Sequence, residues 1–132
     1  MTLTIDRDKE FVNNFHFDAR NLELEKETGT PESNLNVQFQ LLPKEQLAEG
    51  VISDEDTAIY AIVTYMLPLD TIVISGMVSQ LNYIRGRVIE EQAEMDQEEV
   101  AQLAAPLLEL LRRLVYETTE VAFDQPGINL NF

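Results

Sequence analysis

The side chains in this sequence that could do chemistry are few and badly placed for it. His16 is the only histidine among 132 residues, and there is no cysteine. One chain therefore cannot build a two-histidine metal site, a Cys-type zinc site or a thiolate nucleophile. His16 sits in Phe11-Val12-Asn13-Asn14-Phe15-His16-Phe17-Asp18, a stretch of strand character, so a serine triad would have to take its base from a strand. A structural or exposed histidine is the simpler reading. Carboxylates are plentiful but lack the spacing of a site. Asp54-Glu55-Asp56 has neither the glycine nor the distal glutamate of a calcium loop, and Glu90, Glu91 and Glu94 suit the wet side of a helix. No GxGxxG, Walker-type loop or GxSxG occurs. The sequence reads as non-enzymatic, with no catalytic residue, no metal and no cofactor.

Charge narrows the partners. Twenty-four acidic against nine basic residues give a net charge of −15. No basic patch is present to displace counterions from phosphates, so nucleic acid is excluded as a partner, while a basic polypeptide would be attracted. Met1 to Asp8 lacks a basic patch followed by an apolar run, and no segment approaches the roughly 18 apolar residues of a membrane span. The expectation is a cytoplasmic protein with no membrane insertion. At 132 residues and 45% hydrophobic content, a single domain over residues 1–132 with a real core is expected.

The elements that would carry any site follow from periodicity. Phe11, Phe15 and Phe17 share one parity and Val12, Asn14, His16 and Asp18 the other, which predicts a half-buried strand. The parity changes at Leu22 and Leu24, so a bulge or break is expected near Ala19-Arg20-Asn21, within a first strand of about 3–24. Glu27 to Ser33 reads as a loop. Leu35, Val37, Phe39 and Leu41 alternate with Asn36, Gln38 and Gln40 in a strand of about 34–42, closed by Pro43. Ile59 to Leu67 is apolar or aromatic at almost every position, a strand of about 57–68 with both faces covered. Pro68-Leu69-Asp70 turns into a strand of about 71–84, where Ile72, Ile74 and Val78 face one way and Val73, Met77, Leu81 and Tyr83 the other. Gly76 predicts a bulge or a close backbone approach. Arg87 to Glu94 is read as a helical lead-in.

Asp96 followed by Glu99 is a carboxylate capping box, and it opens a helix of about 97–122. Val100, Leu103, Ala104, Leu107, Leu108, Leu111, Leu114, Val115 and Thr118 form its apolar stripe. Glu109, Arg113 and Glu117 are expected to pair at i,i+4 on its wet side. Pro106 predicts a kink, or a helix split in two near that residue. Asp124-Gln125-Pro126-Gly127 stops the helix, and residues 124–132 form an extended tail. The fold class is α+β: a four-stranded antiparallel sheet of Greek-key type followed by a long, Pro-interrupted helix on one face. One helix hides one face, yet the third and fourth strands carry large apolar residues on both. The C-terminal tail, a second copy or a bound peptide must cover the other.

The sequence resembles the bacterial export chaperone family SecB, and more closely a family of small uncharacterised SecB-like proteins from streptococci and lactic acid bacteria. The family's first strand, aromatic-x-Lys-Asp-apolar-Ser-Phe-Glu, is similar to Phe11 to Asp18. Its long helix, beginning near a proline and ending in Phe-Pro-x-apolar-Asn-Leu, is echoed by Pro106 and by Phe123 to Leu130. The resemblance implies a Greek-key sheet with helices on one face, assembly by self-association to a dimer or higher, and capture of unfolded polypeptide in apolar grooves. Asp18 matches an acidic residue of the family's partner-docking surface, whereas Asn14 stands where the chaperone has aspartate. SecB also continues into a second helix past the position matching Phe132. Two readings follow. The first is a chaperone-like module that binds extended apolar or unfolded segments through Tyr60, Tyr65, Met66, Met77, Tyr83, Ile128 and Phe132. The second is a SecB-fold adaptor or scaffold dimer that binds one folded partner.

Overall fold

Clean alternation in one strand, apolar runs in two more and a broken alternation in the first set the architecture. The structure, a computed structural model, describes residues 3–47, 50 and 52–130, the side chain of Lys44 excepted. The elements are β1 (Ile5–Ala19), α1 (Leu22–Thr28), β2 (Asn34–Leu42), β3 (Thr57–Pro68), β4 (Ile72–Ile84) and α2 (Gln97–Phe123), with short 3-10 turns at Lys44–Gln46 and Gln92–Glu94. The sheet order is β1-β4-β3-β2 with every neighbour antiparallel. Three consecutive strands thus form a meander and β1 returns beside β4, which is a Greek key. Helix α2 packs on one face.

The core lies between that helix and the odd residues of β3. Ala61, Val63, Tyr65 and Leu67 are buried with Ile72, Ile74 and Val78 of β4 against Leu107, Leu111 and Val115. A second cluster of Leu3, Ile59, Ile84, Ile89, Met95 and Leu103 closes the helix's N-terminal end. The capping box is formed: the Glu99 N–H donates to Asp96 Oδ1 at 2.8 Å and the Asp96 N–H to Glu99 Oε1 at 3.1 Å. Glu99 is only 2% exposed, and a carboxylate so buried requires a cation. Arg87 supplies it through Nη1, while its Nη2 holds the Glu94 carbonyl at 2.8 Å. With Arg87 committed in this way and Ile89 buried, residues 87–91 are not helical. The expected lead-in shrinks to the single turn Gln92–Glu94.

Pro106 does not divide α2. Lacking an N–H, it leaves the Gln102 carbonyl without a helical donor, and Arg7 Nη2 fills that place at 2.8 Å. The Gln102 side chain also forms a reciprocal pair with Leu3, accepting its N–H at 2.9 Å and donating to its carbonyl at 2.8 Å. Leu3 and Arg7, lying beside the helix, thus repair it. Glu109 pairs with Arg112 rather than with Arg113, because Arg112 lies on the side of the returning tail and its Nε donates to the Leu130 carbonyl at 3.3 Å.

Two expectations for the first strand are corrected. The β1–β4 register shifts between Arg7 and Glu10 and again between Val12 and Asn14. The second shift puts Phe11 opposite Ser79 on one face and Phe15 and Phe17 opposite Gly76 and Ile74 on the other, so the three phenylalanines do not share a side. The strand also ends at Ala19 and does not run to residue 24. Asn21 caps α1 by accepting the Leu24 N–H at 3.0 Å. Arg20 then grips Glu25 through both carboxylate oxygens, at 3.1 and 2.5 Å, and the Leu69 carbonyl at 2.5 Å. This fixes the short helix to the β3–β4 turn.

Asp56, expected as solvated surface, is instead a junction. Its carboxylate accepts from the Gly86 N–H at 2.9 Å, the Ser53 N–H at 3.2 Å and Arg85 Nη1 at 3.1 Å. Backbone donors from Gly86 and Ser53, helped by Arg85, lower its pKa to about 2. No helix among the described residues is long and apolar enough to cross a membrane.

Candidate functional site

Sheet alternation divides β3 and β4 into a dry side under α2 and a second side that faces away from it. On the second side Tyr60 lies opposite Leu81, Ile62 opposite Ser79, Thr64 opposite Met77 and Met66 opposite Ser75. Phe11, Asn14, His16 and Asp18 of β1 continue this surface on the β4 edge. Asn36, Gln38 and Gln40 of β2 continue it on the β3 edge. The result is an apolar, methionine- and aromatic-bearing centre with amide, hydroxyl and carboxylate margins.

The two register shifts of β1 shape a depression on this surface. Gln80 Nε2 donates to the Asp8 carbonyl at 2.8 Å and pins the first shift. Ser79 Oγ donates to Asn13 Oδ1 at 2.8 Å and pins the second. Between them lies a concavity of about 530 Å³ lined by Asp8, Lys9, Phe11 and Asn13 of β1, Met77, Ser79, Gln80 and Leu81 of β4, Tyr60 and Ile62 of β3, and Gln40 of β2. Phe11 stands at its margin 62% exposed. Among the described residues no group of three His, Asp or Glu side chains converges as a metal site requires.

Of the residues singled out in the sequence, Tyr60, Met66, Met77 and Tyr83 come together on this face, and Tyr60 and Met77 line the concavity. Tyr83 stacks under the Arg85 guanidinium, 5.3 Å from its ring centre, and Arg85 is held by Asp6 at 2.7 Å and Asp56 at 3.1 Å. Asp18 is exposed opposite Val73, at the end of the face away from the concavity.

Tyr65 does not belong to this surface. It is on the helix side, 4% exposed, and its hydroxyl has no hydrogen-bond partner. That burial pushes its pKa up to about 12. Gly76 makes the room: a Cβ there would lie 2.7 Å from the Tyr65 hydroxyl and 2.3 Å from the Asn14 carbonyl. Ile128 is also elsewhere. The tail turns back along α2, where the Ile128 N–H donates to Thr119 Oγ1 at 2.8 Å and Gly127 lies so close to Tyr116 that a Cβ would meet its carbonyl at 2.2 Å. Ile128 and Leu130 therefore pack onto the core beside the helix, and the described part of the tail does not cover the second sheet face. Phe132 lies outside the described residues. Sequence reasoning passed over Phe11 and Ile62 as surface candidates. Ile62 shares the parity of Tyr60 and was legible, whereas Phe11 is put on this face by a register shift.

Residues 3–132 match the family described as Protein of unknown function (DUF1149), and the chain belongs to that family. Over its whole length it is similar to a crystal structure of a protein of unknown function from Streptococcus agalactiae, with 46% identity, a TM-score of 0.88 and 100% of both chains covered. It is similar in fold to a SecB-like chaperone of Mycobacterium tuberculosis, solved in complex with a ChAD peptide from an antitoxin. That match has 9% identity, a TM-score of 0.54, and covers 97% of this chain and 90% of the other. The fold is SecB-like. No curated protein matches the sequence.

Proposed function

We propose that this protein is a non-enzymatic, chaperone-like polypeptide binder of SecB type, acting in the cytoplasm, and that the sheet face turned away from α2 holds extended apolar or unfolded segments of other proteins. The observation that carries this is the uncovered apolar concavity itself, with Phe11, Tyr60, Ile62, Met77 and Leu81 around it and neither the helix nor the described tail over it. Methionine and aromatic side chains adapt to varied apolar partners, as a binder of unrelated segments needs. A charge of −15 draws in basic segments over a Debye length of about 8–10 Å at physiological salt. The chaperone of similar fold, solved with a bound peptide, supports the same reading. Asp18 at the far end of the face is proposed as an acidic contact for a partner.

The test is suppression of aggregation. With no nucleotide added, equimolar protein is expected to suppress aggregation of a reduced or denatured test substrate, most strongly for basic substrates at low salt. Met77→Asp and Tyr60→Asp are expected to weaken suppression while circular dichroism remains that of the wild type. A folded protein that protects no substrate at any salt would refute this reading. A second reading, an adaptor or scaffold dimer with one folded partner, is favoured by Phe11 at 62% and Val12 at 39% exposure. They are adjacent on an edge strand, one on each side of it, as a fixed interface would require. One stoichiometric partner in a pulldown, with no protection of unfolded substrates, would select it.

A further inference from the structure

Sheet edges are where a foreign strand can add, because their outward N–H and C=O groups have no ladder partner. The edges here are β1 and β2, and they are guarded unequally. β1 carries Asp6, Arg7, Asp8, Lys9, Glu10 and Asp18, and its register slips twice. Charge and bulges both discourage pairing. β2, with the sequence NLNVQFQLL, has no charge, proline or glycine, although 25% of the whole chain is charged. Its register with β3 is unbroken from Asn34 opposite Met66 to Leu42 opposite Ala58. Among the described elements, only β3 packs extensively along it.

We infer that the free edge of β2 takes up an extended segment of another polypeptide as a fifth strand, bound by main-chain hydrogen bonds. This rests on the proposed function and supplies its mode of recognition. The segment's chemistry follows from the two rows it would extend. On the helix side its alternate side chains would continue Leu35, Val37, Phe39 and Leu41, of which Leu35 is still 38% exposed, so those positions must be apolar. On the other side they would continue Asn36, Gln38 and Gln40, with Gln40 leading into the concavity, so those positions must be uncharged and polar or small. The net charge of −15 selects segments with basic ends.

A second copy is the competing occupant. Antiparallel pairing about Gln38 would also set Leu35 against Leu41 and Val37 against Phe39. It would, however, bring two strongly acidic bodies together over one strand's width. A different, basic chain is the partner that the edge fits.

The test uses the full chain and a fluorescent probe peptide of alternating Val and Gln closed by Lys at both ends. Two N-methylated versions block the amides of either the Val or the Gln positions. In an antiparallel strand only one set of amides faces β2, so one version is expected to bind about tenfold more weakly than the other. Gln38→Lys, at an exposed position, is expected to weaken the parent peptide by a similar factor, while Val121→Lys, the same side chain on the exposed side of α2, leaves it unchanged. Hydrogen exchange is expected to slow on β2, not on β1, when the peptide binds. If both methylated versions bind as the parent does, the strand-addition mode is refuted while binding to the sheet face stands. If the parent itself fails to bind, both fall. If β2 amides are already slow in the free protein and Gln38→Lys turns a dimer into a monomer, the occupant is a second copy and the inference is overturned.

Discussion

Arg7 and Pro106 are ninety-nine residues apart in sequence and act on one carbonyl, which makes their energies non-additive in a predictable way. Proline inside a helix costs about 3 kcal/mol, part of it the missing hydrogen bond and part a clash with the preceding turn. Arg7 Nη2, 2.8 Å from the Gln102 carbonyl, restores the bond without relieving the clash. A charge-assisted bond of this kind is worth about 1.5–3 kcal/mol. Burial works against the Arg7 charge and lowers its pKa, and the bond lies near the surface, so the lower end applies. Arg7→Met in the wild-type background is therefore expected to cost about 1.5 kcal/mol. In Pro106→Ala the amide of residue 106 can serve Gln102 itself, so the same Arg7 substitution is expected to cost about 0.5 kcal/mol or less. Four urea titrations, with equal m-values as the condition for comparison, would measure the coupling, expected near 1 kcal/mol. Additivity within about 0.3 kcal/mol would refute the claim that Arg7 replaces the missing donor.

Further expectations follow from the buried polar groups and the open face. Tyr65→Phe removes a buried hydroxyl that has no partner and is expected to stabilise the fold by about 1 kcal/mol in urea. Because the Tyr65 pKa is raised from 10.0 to about 12, the unfolded chain releases its proton first and wild-type stability should fall between those values as pH rises; thermal melts of Tyr65→Phe should lack that part of the slope. Asp56 shifts the other way, from 3.8 to about 2, so it supports the fold above 3.8 and that support is lost as pH falls towards 2. Asp56→Asn is expected to flatten stability against pH in that acid window, and an unchanged acid slope would show that the junction is not the cause. Light scattering at micromolar concentration is expected to report a dimer or larger, and Phe11→Asp to shift it towards monomer; a monomeric wild type would contradict self-association.

Local chemistry was legible where one residue decides it. Asp96 and Glu99 place the start of α2 because a capping box is complete within four residues, β2 follows from unbroken alternation, and β3 and β4 from apolar runs that meet at Pro68-Leu69-Asp70. β1 resisted because Val12-Asn13-Asn14 carries no sequence mark of a bulge, yet one extra residue there reverses every side chain on one side of it. The segment Leu22-Glu23-Leu24-Glu25 alternates as a strand would. It is helical because Asn21 caps it and Arg20 holds Glu25, and since Leu22 and Leu24 are both about half exposed, no burial period marks it. Tyr65 was misplaced for a different reason. β3 is apolar on both parities, so its own sequence does not say which side meets the helix. β4 does not decide it either, because polar residues fall on both of its parities, Ser75 and Ser79 on one and Gln80 and Asn82 on the other.

The two faces of β3 and β4 differ in kind as well as in exposure. Under α2 the side chains are mostly β-branched or small, such as Ala61, Val63, Ile74 and Val78, which hold few rotamers and suit one rigid neighbour. On the other face Tyr60, Met66, Met77, Leu81 and Tyr83 carry more rotatable bonds and are only partly buried. Such side chains can repack around different partners at modest cost, which suits a surface that meets varied segments better than one built for a single partner. The described tail is fastened to the helix side through Thr119 and Arg112, so a segment arriving at the outer face meets none of it. If the face holds polypeptide as proposed, selection among apolar segments falls to the margin, where Asp8, Asp18 and the amides of β2 lie. A face that is permissive at its centre and acidic at its rim should rank substrates by flanking charge before it ranks them by apolar sequence.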